Sequence, residues 1–194
     1  MEKQCQNGLN DEGIFYALKE CFKRLDEDFQ GTAGATATVA LILDGKVWVA
    51  NVGDSRTILV KNDGTSRQAS EDAKPDIPRY KRKIEKLGGF VSDGLPRVNS
   101  RIAVARAIGD KDVIGSTGVC VMSPSPKITC FPLDFDYAIL ACDGLYDVAT
   151  TNEVGAAVVG TKNESAEMQA KRLVHAAIEL CGSSDNVSVM VIKR

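Results

Sequence analysis

The stretch TATVALILDGKVWVANVGDSRTILVK, residues 36–61, sets the architecture of this chain. Its apolar and β-branched residues fall into three short blocks, Thr36 to Leu43, Val47 to Val52 and Thr57 to Lys61. Asp44-Gly45 stands between the first two. Both residues of a tight hairpin turn must tolerate positive φ, and this pair does. Gly53-Asp54-Ser55-Arg56 forms a polar turn before the third block, and Asn62-Asp63-Gly64 closes it. The pattern predicts a meander of consecutive antiparallel strands.

Ahead of this stretch, Ile14, Leu18, Cys21, Phe22, Leu25 and Phe29 recur at three- and four-residue spacing. They make the apolar stripe of a helix from Asn10 to Phe29, with Asn10 or Asp11 as its cap. A small-residue segment, Gly31 to Ala35, joins the two. Behind the stretch, Asp76 to Leu87 reads as a helix, with Pro78 in its first turn and Gly88-Gly89 at its stop. Short strands and loops are expected from Phe90 to Pro126, then strands at Ile128 to Phe131 and Tyr137 to Cys142. Two helices follow, Asn152 to Val159 capped by Thr151 and Ser165 to Leu180 ended by Gly182, and Val187 to Ile192 is the last strand. Strands grouped with strands and helices with helices predict an α+β fold, antiparallel sheets covered by helices. No repeat, low-complexity tract or linker divides the chain, so residues 1–194 are read as one domain.

A chain of 194 residues buries roughly 70% of its unfolded surface. An apolar fraction of 44%, a charged fraction of 26% and a net charge of −2 are those of an ordinary globular domain. The basic run Arg79 to Lys83 sits on a predicted helix and reads as a solvated face, so nucleic acid is not an expected partner. No apolar run reaches the about 18 residues of a membrane span. Met1-Glu2-Lys3-Gln4 leads into a polar stretch rather than a secretory apolar region. The six cysteines, Cys5, Cys21, Cys120, Cys130, Cys142 and Cys181, form no C-x-x-C pair. They imply a reducing, intracellular setting, cytoplasmic or nuclear, without structural disulfides.

Several chemistries are excluded by count or spacing. The single histidine, His175, lies in an apolar helical context, so a Ser-His-Asp triad and a His-rich zinc site have no material. No cysteine has an arginine six positions later, as a thiol phosphatase loop requires, and no G-x-x-x-x-G-K-[ST] loop occurs.

What remains is a set of aspartates at strand ends. Asn51-Val52-Gly53-Asp54-Ser55-Arg56, Ala141-Cys142-Asp143-Gly144-Leu145-Tyr146-Asp147 and Gly182-Ser183-Ser184-Asp185-Asn186-Val187 each put a carboxylate where an apolar strand meets a turn. Gly permits tight backbone beside a ligand. Taken singly, each segment is equally an ordinary turn or connection, and Asp147 reads as a helix or turn cap.

Together, and in this order, the three segments resemble the metal-dependent protein serine/threonine phosphatases of the type 2C family (the PPM family). Asn51 to Arg56 resembles N-x-G-D-S-R. Lys74-Pro75, Ile84 and Gly88-Gly89 resemble the family's helix that ends on a double glycine. Ala103 to Asp110 resembles S-R-x-x-G-D with Ala105 in place of Ser. Ala141 to Asp147 resembles S-D-G-L-W-D with Cys142 and Tyr146 substituted, and Gly182 to Val187 resembles G-S-x-D-N-[IV].

The resemblance implies a sandwich of two antiparallel sheets flanked by helices. It also implies two Mg²⁺ or Mn²⁺ ions that activate water against phosphoserine or phosphothreonine. Hard divalent ions choose carboxylate oxygens, so the chemistry of the aspartates agrees. By position, Asp143 and Asp185 match catalytic metal ligands, and Asp54 with Asp143 matches a weaker additional metal position. Asn186 is expected to orient the turn around Asp185, and Asp110 to lie near the rim of the site. In the family a longer segment precedes the first helix and carries R-x-x-x-E-D and D-G-H-G-G motifs. Neither motif is read in this chain, and D-G-H occurs nowhere.

Measured against the family, the domain is therefore expected to be incomplete at its N-terminal side, either as a short form or fragment or with another polypeptide supplying the rest. Fewer tightly bound ions and reduced phosphoserine/phosphothreonine hydrolysis are expected. The alternative is an inactive pseudophosphatase that binds phosphoproteins or regulates a partner. Self-association through exposed sheet edges is expected as well.

Overall fold

The computed structural model describes residues 10–194. Helix α1 (Asp11–Asp28) starts where the Asn10 side chain accepts a hydrogen bond from the Gly13 amide at 2.8 Å. Asp11 and Glu12 occupy its first turn, where the helix dipole favours negative charge. Ile14, Leu18 and Phe22 of its predicted stripe are buried, whereas Cys21, Leu25 and Phe29 are exposed.

The chain continues through β1 (Gly34–Ala35), β2 (Ala37–Leu43), β3 (Lys46–Val52), β4 (Arg56–Val60), β5 (Ser66–Gln68) and α2 (Pro78–Lys86). It then forms β6 (Ile108–Gly109), β7 (Lys127–Pro132), β8 (Tyr137–Ala141), the single-turn α3 (Asp143–Tyr146) and α4 (Thr151–Gly160). Last come α5 (Ala166–His175), which runs on as a π-helical turn over Ala176–Leu180, and β9 (Val189–Lys193).

All strand pairs are antiparallel, but they do not form the single meander that residues 36–61 suggest. β2, β3 and β7 make one sheet in the order β2-β3-β7, and the second has the order β5-β4-β8-β9. The chain leaves the first sheet at Val52 and enters the second at Arg56, so Gly53-Asp54-Ser55 is a crossover between layers. The reason lies in side chains of β3 that are apolar on both faces. Trp48, Ala50 and Val52 pack against Ile14, Leu18 and Phe22 of α1. Val47 and Val49 face Leu59, Ala138 and Leu140 of the second sheet. A strand buried on both faces needs a layer on each side. The outer face of the second sheet, with Ile58, Val60, Tyr137 and Ile139, is covered by Val154 and Val158 of α4 and Leu173 of α5. The result is helix, sheet, sheet, helix in four layers. A separate cluster around Tyr80, Ile84, Val98 and Val121 packs α2 against the loops up to Met122.

Local details differ from the sequence reading by small shifts. The cap of α4 is Thr150 rather than Thr151, in a capping box with Glu153. The short strand β5, not anticipated, pairs with β4 beyond the Asn62-Asp63-Gly64 turn. Among the described residues no helix is long and apolar enough to cross a membrane. Cys5 lies outside the described residues.

Candidate active site

The crossover holds Asp54 in a rigid frame. Gly53 has φ +88°, and a Cβ there would come within 2.3 Å of the Thr36 methyl, so the position requires glycine. Asn51 is buried, and its amide nitrogen donates to the carbonyls of Gly53 and Glu71, each at 3.1 Å. That side chain ties the crossover to the loop after β5. The Asp54 side chain is only 4% exposed, and Lys74 Nζ donates to its Oδ2 at 2.5 Å. The Lys74 segment is itself pinned, because the Ala73 amide donates to Gly53 O at 2.9 Å and the Ala105 amide to Ala73 O at 2.7 Å.

Asp143 begins α3 at the end of β8, beside the loop that carries Asp185 and Asn186. A Cβ at Gly144 would sit 2.3 Å from the Asn186 carbonyl, so only glycine lets the two loops close. Ser183 Oγ donates to Gly144 O at 2.7 Å, and the Cys142 amide donates to Ser188 O at 3.2 Å. Asp185 is exposed, and its Oδ1 accepts from the Asn186 amide at 2.7 Å. Asn186 thereby contributes its backbone to the turn around Asp185.

Electrostatics connect these groups. Burial, then the charges of Asp54 and Asp185, hold the Asp143 carboxyl above the ordinary aspartate range, and Lys74 opposes them. Burial works against the Lys74 ammonium. The hydrogen bond to Asp54 and the charges of Asp54, Asp147 and Asp143 outweigh it and raise its pKa. Asp54, Asp143 and Asp185 thus share one end of the sandwich with Lys74 and Asp147. Asp147 caps the C-terminus of α3, its amide donating to Asp143 O at 2.7 Å. Asp110 stands apart at the β1–β6 pair, and the charges that act on it are those of Asp112 and Arg101.

The motifs imply a divalent metal at this acidic group. Among the described residues no three His, Cys, Asp or Glu side chains are grouped so as to hold a metal ion. The most buried of the three carboxylates, Asp54, already has a cation in contact, the Lys74 ammonium. With that pair in place the donor set does not fit a divalent ion.

The sequence marks Lys74 only as part of the Lys74-Pro75 segment and gives it no role beside Asp54. Sequence reasoning passed over the hexapeptide Arg67 to Asp72, which has the R-x-x-x-E-D spelling. Here those residues build scaffold. Arg67 stacks over Phe131 at 4.2 Å, Glu71 pairs with Arg79 and accepts from Tyr80, and Asp72 binds Arg56. A cleft lined by Val158, Leu173 and His175 between α4 and α5 shares no residue with the acidic group.

Comparison with known proteins adds independent findings. The family model described as Protein phosphatase 2C matches residues 4–187. A rice protein named Probable protein phosphatase 2C 44 is 37% identical over 169 residues, covering 84% of this chain and 50% of its own length. Bovine Protein phosphatase 1L is 36% identical over 187 residues, covering 94% of this chain and 50% of its own length. The chain therefore spans about half the length of these relatives. A solved structure of a C. elegans sex determining protein superimposes with a TM-score of 0.74 at 27% identity, over 98% of this chain and 48% of that one.

Proposed function

The chain belongs to the protein phosphatase 2C family, and from that premise we propose that it acts on phosphoserine and phosphothreonine in phosphoproteins, as a Mg²⁺- or Mn²⁺-dependent phosphatase of reduced activity. One observation carries the reading: Asp54 and Asp185, far from Asp143 in sequence, lie within electrostatic range of it, at the end of the second sheet where β4, β8 and β9 pair. Two carboxylates held close repel, and a divalent cation removes that penalty. Asp143 and Asp185 are the catalytic, metal-facing pair in this reading, with Asp54 on the additional position and Asn186 supporting Asp185; Asp110, apart from this group at the β1–β6 pair, has a supporting role only at a distance. Free cysteines at Cys21, Cys120, Cys130, Cys142 and Cys181 suit a reducing compartment such as the cytoplasm. The test is hydrolysis of an aryl phosphate and of a phosphothreonine peptide with Mn²⁺, comparing the wild type with Asp143→Ala. A loss of at least about tenfold is expected, the low end of what even an outer partner of a metal ligand contributes. Equal rates would remove the reading.

A second reading is favoured by the Lys74–Asp54 contact and by the lack of three grouped donors among the described residues. In it the chain is an inactive pseudophosphatase that binds phosphoproteins or regulates a partner. Folded protein with no turnover under any divalent ion decides for this second reading. In either case we propose self-association through the edge of β2, which is unpaired among the described residues and where Val39, Ile42 and Leu43 are exposed.

A further inference from the structure

We propose that Lys74 is a built-in counter-cation, which occupies the cation seat at Asp54 and must swing out before a divalent ion can bind there. The inference rests on the reading of Asp54 and Asp143 as a cation site, and it concerns occupancy of that site rather than turnover.

Three observations carry it. First, the Asp54 side chain is 4% exposed, and among the described residues its one hydrogen-bonding side-chain partner is Lys74 Nζ at 2.5 Å. A buried carboxylate requires such a partner, because an isolated charge in a low-dielectric interior is strongly disfavoured. Second, the ammonium lies in the field of Asp54, Asp143 and Asp147 together, so it balances a cluster and not a single group. Third, the backbone beneath Lys74 is held by hydrogen bonds while its side chain stays partly open to water. Ala73 is held by hydrogen bonds to Gly53 and Ala105, and Pro75 follows. The Lys74 side chain is 37% exposed, which leaves a path to water for its flexible stem. A fixed anchor with a mobile cation is a tether. It keeps Asp54 neutralised without metal, and it sets every incoming cation against an intramolecular competitor.

Competition of this kind has a definite signature. A divalent ion binds with the intrinsic affinity of the site, reduced by the fraction of molecules in which Lys74 is already displaced. Removing the ammonium while keeping a polar side chain releases that penalty. An arginine in its place retains it.

Mn²⁺ binding to the purified chain, measured by calorimetry and by loss of the free Mn²⁺ resonance signal, tests the proposal. Lys74→Gln is expected to bind Mn²⁺ at least about tenfold more tightly than the wild type, and Lys74→Arg no more tightly than the wild type. Equal affinity in Lys74→Gln and wild type, or weaker binding in Lys74→Gln, overturns it. The second measurement needs no variant. Acylation of lysines in the wild type, read by mass spectrometry with and without saturating Mn²⁺, is expected to show Lys74 labelling rise several-fold with the ion. Unchanged Lys74 labelling at saturating, calorimetrically verified Mn²⁺ also overturns it. Tight binding by Lys74→Gln without phosphatase activity would leave this inference standing and would count against the hydrolytic reading alone.

Discussion

Asp110 combines a left-handed backbone, φ +50°, with a side chain enclosed beside Gly34. Aspartate and asparagine are the non-glycine residues that accept that backbone most readily. Burial, reinforced by Asp112 and opposed by Arg101, raises the carboxyl's pKa above the ordinary aspartate value. A raised acid contributes stability that is fully present below the unfolded value and is lost as pH rises through the folded value. At neutral pH the ionised Asp110 therefore weakens the fold. Asp110→Asn, which keeps the backbone preference, is expected to raise Tm at pH 7 by on the order of 2–4 °C. The gain should shrink on acidification below the raised value and vanish below the ordinary aspartate range. An unchanged Tm at pH 7 would show that burial does not penalise this charge. The same scale shows what sequence could and could not reveal about the site. Asp54, Asp143 and Asp185 were legible because each sits beside turn residues at a strand end. Lys74 was not, because its partner is defined by a contact across 20 positions.

At the scale of elements, β2 is the anomaly. Its seven residues, Ala37 to Leu43, contain no charge and no proline, although it forms the edge of its sheet. Edge strands are ordinarily protected by such residues. Val39 and Ile42 point to opposite faces and both are exposed, although Ala37 and Leu41 pack beside α1 and Ala40 packs against the second sheet. On the second sheet β9 is also an edge, and its Met190 is exposed. Sedimentation velocity is expected to show concentration-dependent association. Val39→Lys should weaken it by about tenfold in dissociation constant, or about 1.4 kcal/mol. A monomer at all concentrations would refute the association. The helices contrast with this edge. Asn10, Thr150 and Ser165 each cap the helix they precede, and their residue types alone announce the start.

In the whole molecule, Arg56 is the residue that joins most layers. It leaves β4 at the crossover and binds Asp72 through Nε at 3.2 Å and a terminal nitrogen at 2.5 Å. Its other terminal nitrogen donates to Thr151 Oγ1 at 3.3 Å, and the guanidinium lies 4.6 Å from the centre of the Tyr146 ring. One side chain thus fastens the second sheet to the loop after β5, to α3 and to the start of α4. Both Arg56 and Asp72 are largely buried, so removing one partner strands the other. Arg56→Met is expected to cost about 3 kcal/mol in urea unfolding, the low end of the range for a buried pair because some exposure remains. A loss under about 1 kcal/mol would reduce the pair to an ordinary surface contact.

The sequence by itself determined the α+β class, the hairpin at Asp44-Gly45, the helix caps to within one residue, and the strand-end placement of the three aspartates. These follow from local rules, since turn chemistry, capping and periodicity act over a few residues. Only the tertiary structure decided that residues 36–61 belong to two sheets, that Gly53-Asp54-Ser55 crosses between them, and that Lys74 faces Asp54. Sheet membership depends on which apolar faces find cover, and a charge pair depends on which loops are brought together. Both are settled by packing between distant segments, where no local pattern carries the information.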